Sequence, residues 1–239
     1  MDLHMTNFNS DYLITDLRDR DLGELDLLEE KGDYIFHGKI LTYLFCDFVM
    51  ERVKKYELQV ENKMIVPANS MHENAILTSE LNISACIENL VNLILLRKIH
   101  SLFPRCAEKS FDTFHSYIVR YSADMDVGLG FHVDDSLVTI NLCLNDKFIG
   151  SDIVFEGIRC PIHVNTPYKH DEKVSIKHKK GFMILHDGKN RHYVNSIETG
   201  ERYNLIIWCQ SSDENIKWFN ALQNYECMDF CKYQRRLEK

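Results

Sequence analysis

The chain has 239 residues, 45% of them apolar and 11% aromatic, which is enough to bury a sizeable core and excludes wholesale disorder. No apolar run is long enough to span a bilayer, and the polar start (Met1 to Asn9) lacks the basic and apolar pattern of a secretory leader, so a cytoplasmic, intracellular protein that does not cross a membrane is expected. The net charge is −8; residues 1–33 hold ten acids against three bases, or −7, so the remainder is near neutral and has no basic field to gather nucleic acid.

Residues 1–34 form an acidic, weakly periodic lead that reads as a solvated segment. From Lys39 to Leu58, the residues Leu41, Leu44, Phe45, Phe48, Val49, Val53 and Tyr56 recur three and four apart, which predicts an amphipathic helix. The series Ile83, Ile87, Leu90, Val91, Ile94, Leu95 and Leu102 predicts a second helix from Ile83 to Phe103, stopped by Pro104. Residues 35–110 are thus expected to be a helical support region.

After Phe111 short β-branched and aromatic runs alternate with turn signals, predicting an all-β unit over residues 111–211. The expected strands are 114–121, 137–144, 153–155, 174–177, 182–185, 192–197 and 202–209. Glu198-Thr199-Gly200-Glu201 reads as the turn of a hairpin joining the last two. Ser211 followed by Glu214 has capping-box spacing, so a short helix is expected near Asp213 within a C-terminal segment 212–239, with Trp218, Phe219 and Leu222 packing it back.

Four of the eight cysteines, Cys46, Cys86, Cys143 and Cys209, lie inside apolar runs, as buried reduced thiols do. No CxxC pair occurs, so a zinc ribbon is not expected; Cys227 and Cys231, one helical turn apart, read as free cysteines, with a metal-binding pair as the alternative. His100, His115, His163, His170 and His178 read as surface or structural, and Trp208 as core.

His132-Val133-Asp134 can place an imidazole and a carboxylate on one face of a strand. Alone the pair is weak, because a chain with 11 histidines produces such a pair by chance. What strengthens it is the order that follows: a strand from Leu137, a turn into Ile153, His192 opening another strand, and Arg202 ten residues beyond. Two histidines and a carboxylate form the triad that suits Fe(II), and an arginine can grip a carboxylate with its fork. Thr139, Asn141 and Cys143 share one strand face, whose polarity suggests a pocket wall.

Together with Pro67-Ala68-Asn69-Ser70-Met71, Tyr117-Ile118-Val119-Arg120-Tyr121, Thr139-Ile140-Asn141 and Gly200-Glu201-Arg202-Tyr203-Asn204-Leu205, these residues resemble the Fe(II)- and 2-oxoglutarate-dependent dioxygenases, in their prolyl-hydroxylase-like branch. The resemblance covers about Ile65 to Gln210. It implies an α+β chain with a double-stranded β-helix, or jelly-roll, core, supporting helices before it and a short helix after it. It implies Fe(II) on His132, Asp134 and His192, and 2-oxoglutarate held by Arg202 and Tyr121, with Thr139 and Asn141 in the same pocket. O2 and ascorbate are the further cofactors it implies. The rival ligand His186 is set aside because the family's step to the arginine fits His192. One departure is that Ser151 follows Gly150 where the family has paired glycines.

The implied reaction is hydroxylation of a peptide or protein side chain, prolyl or lysyl, with 2-oxoglutarate converted to succinate and CO2; a small-molecule substrate is the other partner considered. Oxidative demethylation of a nucleobase or methylated side chain, and a non-catalytic jelly-roll module, stand as alternatives. Nothing in the sequence sets an oligomeric state.

Overall fold

The computed structural model describes residues 28–60, 74–106 and 111–233. Most of the acidic lead, Pro67 to Met71 and the last six residues lie outside them. Among the described residues twelve strands build two antiparallel sheets. In chain order they are β1 (Glu29–Gly32), β2 (Ile35–Lys39), β3 (Ile76–Leu77), β4 (Thr113–Ser122), β5 (Leu129–His132), β6 (Val138–Cys143), β7 (Phe148–Gly150), β8 (Ile153–Ile158), β9 (Lys173–Ile176), β10 (Phe182–Asp187), β11 (Asn190–Val194) and β12 (Ile197–Gln210). The larger sheet runs β1-β2-β10-β6-β12-β4-β3, with β7 also on β12, and the smaller runs β5-β11-β8-β9.

Alternation along the strands of the larger sheet gives it two apolar faces. Ile118, Val138, Ile140, Leu142, Met183, Leu185, Leu205 and Ile207 face one cluster, which also contains the helices. Tyr117, Val119, Tyr121, Ile184, Ile206 and Trp208 face the other, against Ile153, Phe155, Ile176 and Val194 of the smaller sheet. The molecule therefore stacks helices, larger sheet and smaller sheet. This mixed α/β arrangement of antiparallel sheets with few helices is consistent with a jelly-roll. At two positions, Thr139 and Asn141 of β6, the inter-sheet face turns polar, and the site lies there.

The first predicted helix forms as α1 (Tyr43–Val60) and buries Phe45, Cys46, Val49 and Val53 at helical spacing. Leu44 departs from the expectation: one residue before Phe45, it falls off that stripe and is 58% exposed. The second helical run consists of α2 (Ser84–Leu90), a π-helical segment Val91–Leu95 and α3 (Leu96–Leu102) before Pro104, where a 3-10 turn replaces it.

Four expectations fail. Residues 35–39, assigned to the helical region, form β2, whose Ile35 and Phe36 face opposite clusters as strand neighbours must. The last two strands are no hairpin: β11 pairs β5 and β8, whereas β12 pairs β4, β6 and β7. Residues 198–201 continue β12, with Gly200 (φ +79°) letting the backbone pass close to Lys147. In α4 (Ser212–Gln223) Ser211 makes no capping bond; Asp112 accepts from the Ser212 amide, and buried Glu214 pairs with Lys217 and Arg105 instead. Trp218 packs on Lys189 and Phe230, but Phe219 and Leu222 stay exposed.

Candidate metal and cofactor site

His132 ends β5 and stands directly across from His192 on β11. Their ring centroids are 4.1 Å apart. His132 Nδ1–H donates to the Gly130 carbonyl at 2.7 Å and His192 Nδ1–H to the Asn190 carbonyl at 2.9 Å. Each bond fixes the tautomer that leaves Nε2 bare and turned inward, as a metal-binding imidazole requires. Asp134 Oδ1 lies 3.4 Å from His132 Nε2 and 3.8 Å from His192 Nε2, and the three ligand atoms all lie within 4.8 Å of one another.

Asp134 is not on a strand with His132, as the sequence suggested; β5 stops at His132 and a loop follows. That loop is aimed from behind. The Asp134 amide donates to Gly188 O at 2.9 Å, and Lys189 Nζ donates to Asp134 O at 2.7 Å. A Cβ on Gly188 would lie 2.2 Å from Ser136 O, so only glycine allows the turn at 187–189 to approach this closely. Arg105 clamps Asp187 with two bonds, at 2.8 and 3.0 Å, and Asp187 Oδ1 accepts from the Lys189 amide. Thr139 donates to Asp134 Oδ2 at 2.5 Å and is joined in turn to Ser136.

Burial alone would raise the Asp134 pKa, but His192, His132 and His186 around it hold it well below the ordinary carboxylate range. Burial, then the neighbouring His132, pushes His192 down to about 3. Burial opposes protonation of His132 too, yet the neighbouring Asp134 carboxylate raises its pKa. An anionic oxygen and a bare imidazole nitrogen are the donor states a divalent ion needs. His186, the rival ligand, is buried 3.7 Å from Asp134 Oδ2, in edge contact with His192 and Phe155. It lines the cavity beside the triad rather than joining it.

Arg202, on β12 opposite Tyr121 of β4, has no solvent exposure. Its guanidinium stacks on the Tyr121 ring at 4.6 Å and donates through Nη1 to Ser151 O. Nε and Nη2 are buried without a hydrogen-bond partner, and among the described residues no carboxylate is within ion-pair distance. A buried cation with two idle donors fits an absent carboxylate. Asn204, two residues on, donates to Asn141 Oδ1 and leaves its own Oδ1 idle. Burial pushes Tyr121 up to about 12, keeping its hydroxyl protonated as a donor.

Tyr117, Tyr121, Thr139, Asn141, His132, Asp134 and His192 share one cavity with Leu129, Ile153, Val194 and Ile206, which hold roughly 350 Å³ between them, part of it open to solvent. Cys143, expected on the same face, is buried instead and gives its thiol to Asn145 O. Sequence reasoning missed Lys189 and Gly188, although both directly follow His186 and Asp187 at the end of β10.

Residues 104–211 match the family model described as the 2OG-Fe(II) oxygenase superfamily, and the chain carries a domain of that class. His132, Asp134 and His192 could bind the Fe(II) that the family implies, with 2-oxoglutarate and O2 as its implied cosubstrates. More particularly, the chain is 34% identical over 194 residues to the Arabidopsis thaliana 2-oxoglutarate and iron-dependent oxygenase domain-containing protein ICU11, covering 80% of this chain and 48% of the relative. It is 27% identical over 205 residues to human 2-oxoglutarate and iron-dependent oxygenase domain-containing protein 2, covering 85% and 54%. The chain spans about half the length of these curated relatives. A prolyl hydroxylase from Trichoplax adhaerens, solved in complex with a hypoxia inducible factor peptide fragment, shares the fold at TM-score 0.50 with 14% identity, covering 82% of this chain and 90% of the other.

Proposed function

We propose that this chain is an Fe(II)- and 2-oxoglutarate-dependent dioxygenase that hydroxylates a side chain of a peptide or protein, of prolyl or lysyl type. One observation carries the reading: two inward imidazoles and a carboxylate meet at one end of a cavity whose neighbouring strand holds a buried arginine with two idle donors. His132, Asp134 and His192 would hold the iron, and the two sheets would be the halves of a double-stranded β-helix. Bound there, Fe(II) supplies oxygen activation coupled to conversion of 2-oxoglutarate to succinate and CO2.

The chain's own residues supply the setting. Arg202 would bind the distal carboxylate of 2-oxoglutarate through Nε and Nη2, with Tyr121 beside it. Thr139 and the Gly188–Lys189 turn hold Asp134 in place. Leu129, Ile153, Val194 and Ile206 supply the apolar part of the cavity wall beside these polar groups. The peptide class of substrate is supported by the rim: Val127 and Phe131, flanking the cavity residue Leu129, are 46% and 43% exposed, an apolar ledge suited to a chain rather than a polyanion. The Trichoplax fold neighbour, itself seen with a peptide, agrees with that choice.

The test is succinate formation with Fe(II), 2-oxoglutarate and ascorbate, followed by a screen of proline- and lysine-containing peptides for gain of one oxygen atom. His192→Ala should lose iron and turnover together, whereas Asp135→Ala, whose side chain faces solvent, should keep both. Iron content unchanged in His192→Ala would overturn the site, and wild-type protein that binds iron but forms no succinate would leave a non-catalytic module.

A further inference from the structure

A second cluster of ligand atoms lies outside the oxygenase cavity. Cys160 and His163 come from the turn that follows β8, and Cys227 and Cys231 from the segment after α4. Cys160 Sγ is 3.6 Å from Cys227 Sγ and 3.2 Å from His163 Nδ1. The same nitrogen is 3.6 Å from Cys227 Sγ and 3.5 Å from Cys231 Sγ. All four atoms lie within 4.8 Å of one another. Sulfurs so far apart are not bonded, since a disulfide needs about 2.0 Å, and all these cysteines are free.

The spacing is that of ligands around one ion. Tetrahedral zinc, with Zn–S of about 2.3 Å and Zn–N of about 2.0 Å, sets S···S near ~3.8 Å and S···N near ~3.6 Å. The observed separations fall within a few tenths of an ångström of these. We infer that Cys160, His163, Cys227 and Cys231 bind a structural zinc ion that fastens the C-terminal segment to the loop between β8 and β9.

Local structure supports it. Cys160 and Cys231 are almost fully buried, and each pair is folded by its own turn: His163 N donates to Cys160 O, and Cys231 N to Met228 O. Charge supports it as well. Arg191 is 1% exposed, and its guanidinium bonds only to carbonyl oxygens, of Glu156, Gly157, Val164 and Thr166. Among the described residues no carboxylate lies within ion-pair distance of it. Three thiolates and one neutral imidazole on Zn²⁺ would carry a net −1, a charge that would complement Arg191 together with Glu172 and Glu156. On binding, the three thiol protons leave to solvent and no electron changes hands. Three soft sulfur donors select zinc, whereas the two-histidine, one-carboxylate set suits iron, so the two sites separate by metal.

The experiment is metal analysis of the full chain purified without chelator. Wild type should hold about one zinc per chain, and Cys227→Ser with Cys231→Ser should reduce that at least about ten-fold. His192→Ala should lose iron and retain the zinc, which keeps this inference separate from the oxygenase reading. Cobalt substitution supplies a second readout: wild type and His163→Cys should both show thiolate-to-cobalt charge-transfer absorption. For variants that do not fold, wild-type protein answers alone, because Cys160, Cys227 and Cys231 should be alkylated only after chelator is added. Zinc-free wild type, equal alkylation with and without chelator, or a disulfide among these cysteines would each overturn the site.

Discussion

Thr139 illustrates how a pocket residue can act through a neighbour. Its side chain donates to the Asp134 oxygen that does not face His132 and His192, so it orients the carboxylate. Thr139→Val should weaken iron binding about 10- to 100-fold, while Thr139→Ser restores it; titration of iron into the metal-free protein reads this, and unchanged affinity in the valine variant would remove the role. Ser151 stands where the resembling family has a second glycine, and it adopts φ +60°, a left-handed conformation that burdens any side chain. Its carbonyl accepts from Arg202, and its side-chain oxygen is buried without a partner. Ser151→Gly should therefore raise stability by about 1 kcal/mol, the strain relieved less the added entropy of the unfolded chain. A urea midpoint that falls instead would show that the hydroxyl is satisfied.

At the scale of elements, the loop after β5 and the turn between β10 and β11 act as one unit. Asp134 and Leu137 trade backbone bonds with Gly188, and Lys189 closes the contact from 55 residues away in sequence. Gly188→Ala would drive a methyl into Ser136 O and push the two apart. The expected result is a loss of about 2 kcal/mol of stability with iron affinity lowered in parallel; thermal unfolding and iron titration check the two halves. None of this was legible locally. The histidines, the aspartate and the arginine could be chosen from residue type and order, but periodicity describes a strand and is silent on which sheet receives it. The same gap explains the hairpin that does not exist. Glu198 to Glu201 has turn composition, yet β12 runs straight through it because β7 supplies a partner strand, which a local reading does not reveal.

For the whole molecule, Arg202 is a buried cost that a bound carboxylate would offset. A fully buried guanidinium without a counter-charge destabilises the empty protein, and a bound carboxylate offsets that. With metal present, 2-oxoglutarate at about a hundred times its Kd should add about 2.7 kcal/mol, which for a chain of this size is a Tm rise on the order of 5–10 °C. Arg202→Met should leave the empty protein no less stable and abolish that rise; a 2-oxoglutarate response that survives would move the carboxylate elsewhere. The layers are held by the larger sheet, whose Ile207 is fully buried on β12 between β4 and β6.

The sequence by itself determined the amphipathic α1 and the strand-rich second half, because helical stripes and β-branched runs are written in residue type and short spacing; it offered His132, Asp134, His192 and Arg202 as candidates, with the choice of His192 over His186 resting on the family resemblance. Only the tertiary structure decided the division of β11 and β12 between two sheets, the aim of Asp134 from the Gly188–Lys189 turn, and the meeting of Cys160 with Cys227 across 67 residues. Those depend on closing long loops against one core, and the packing that sets which distant segments touch leaves no local pattern.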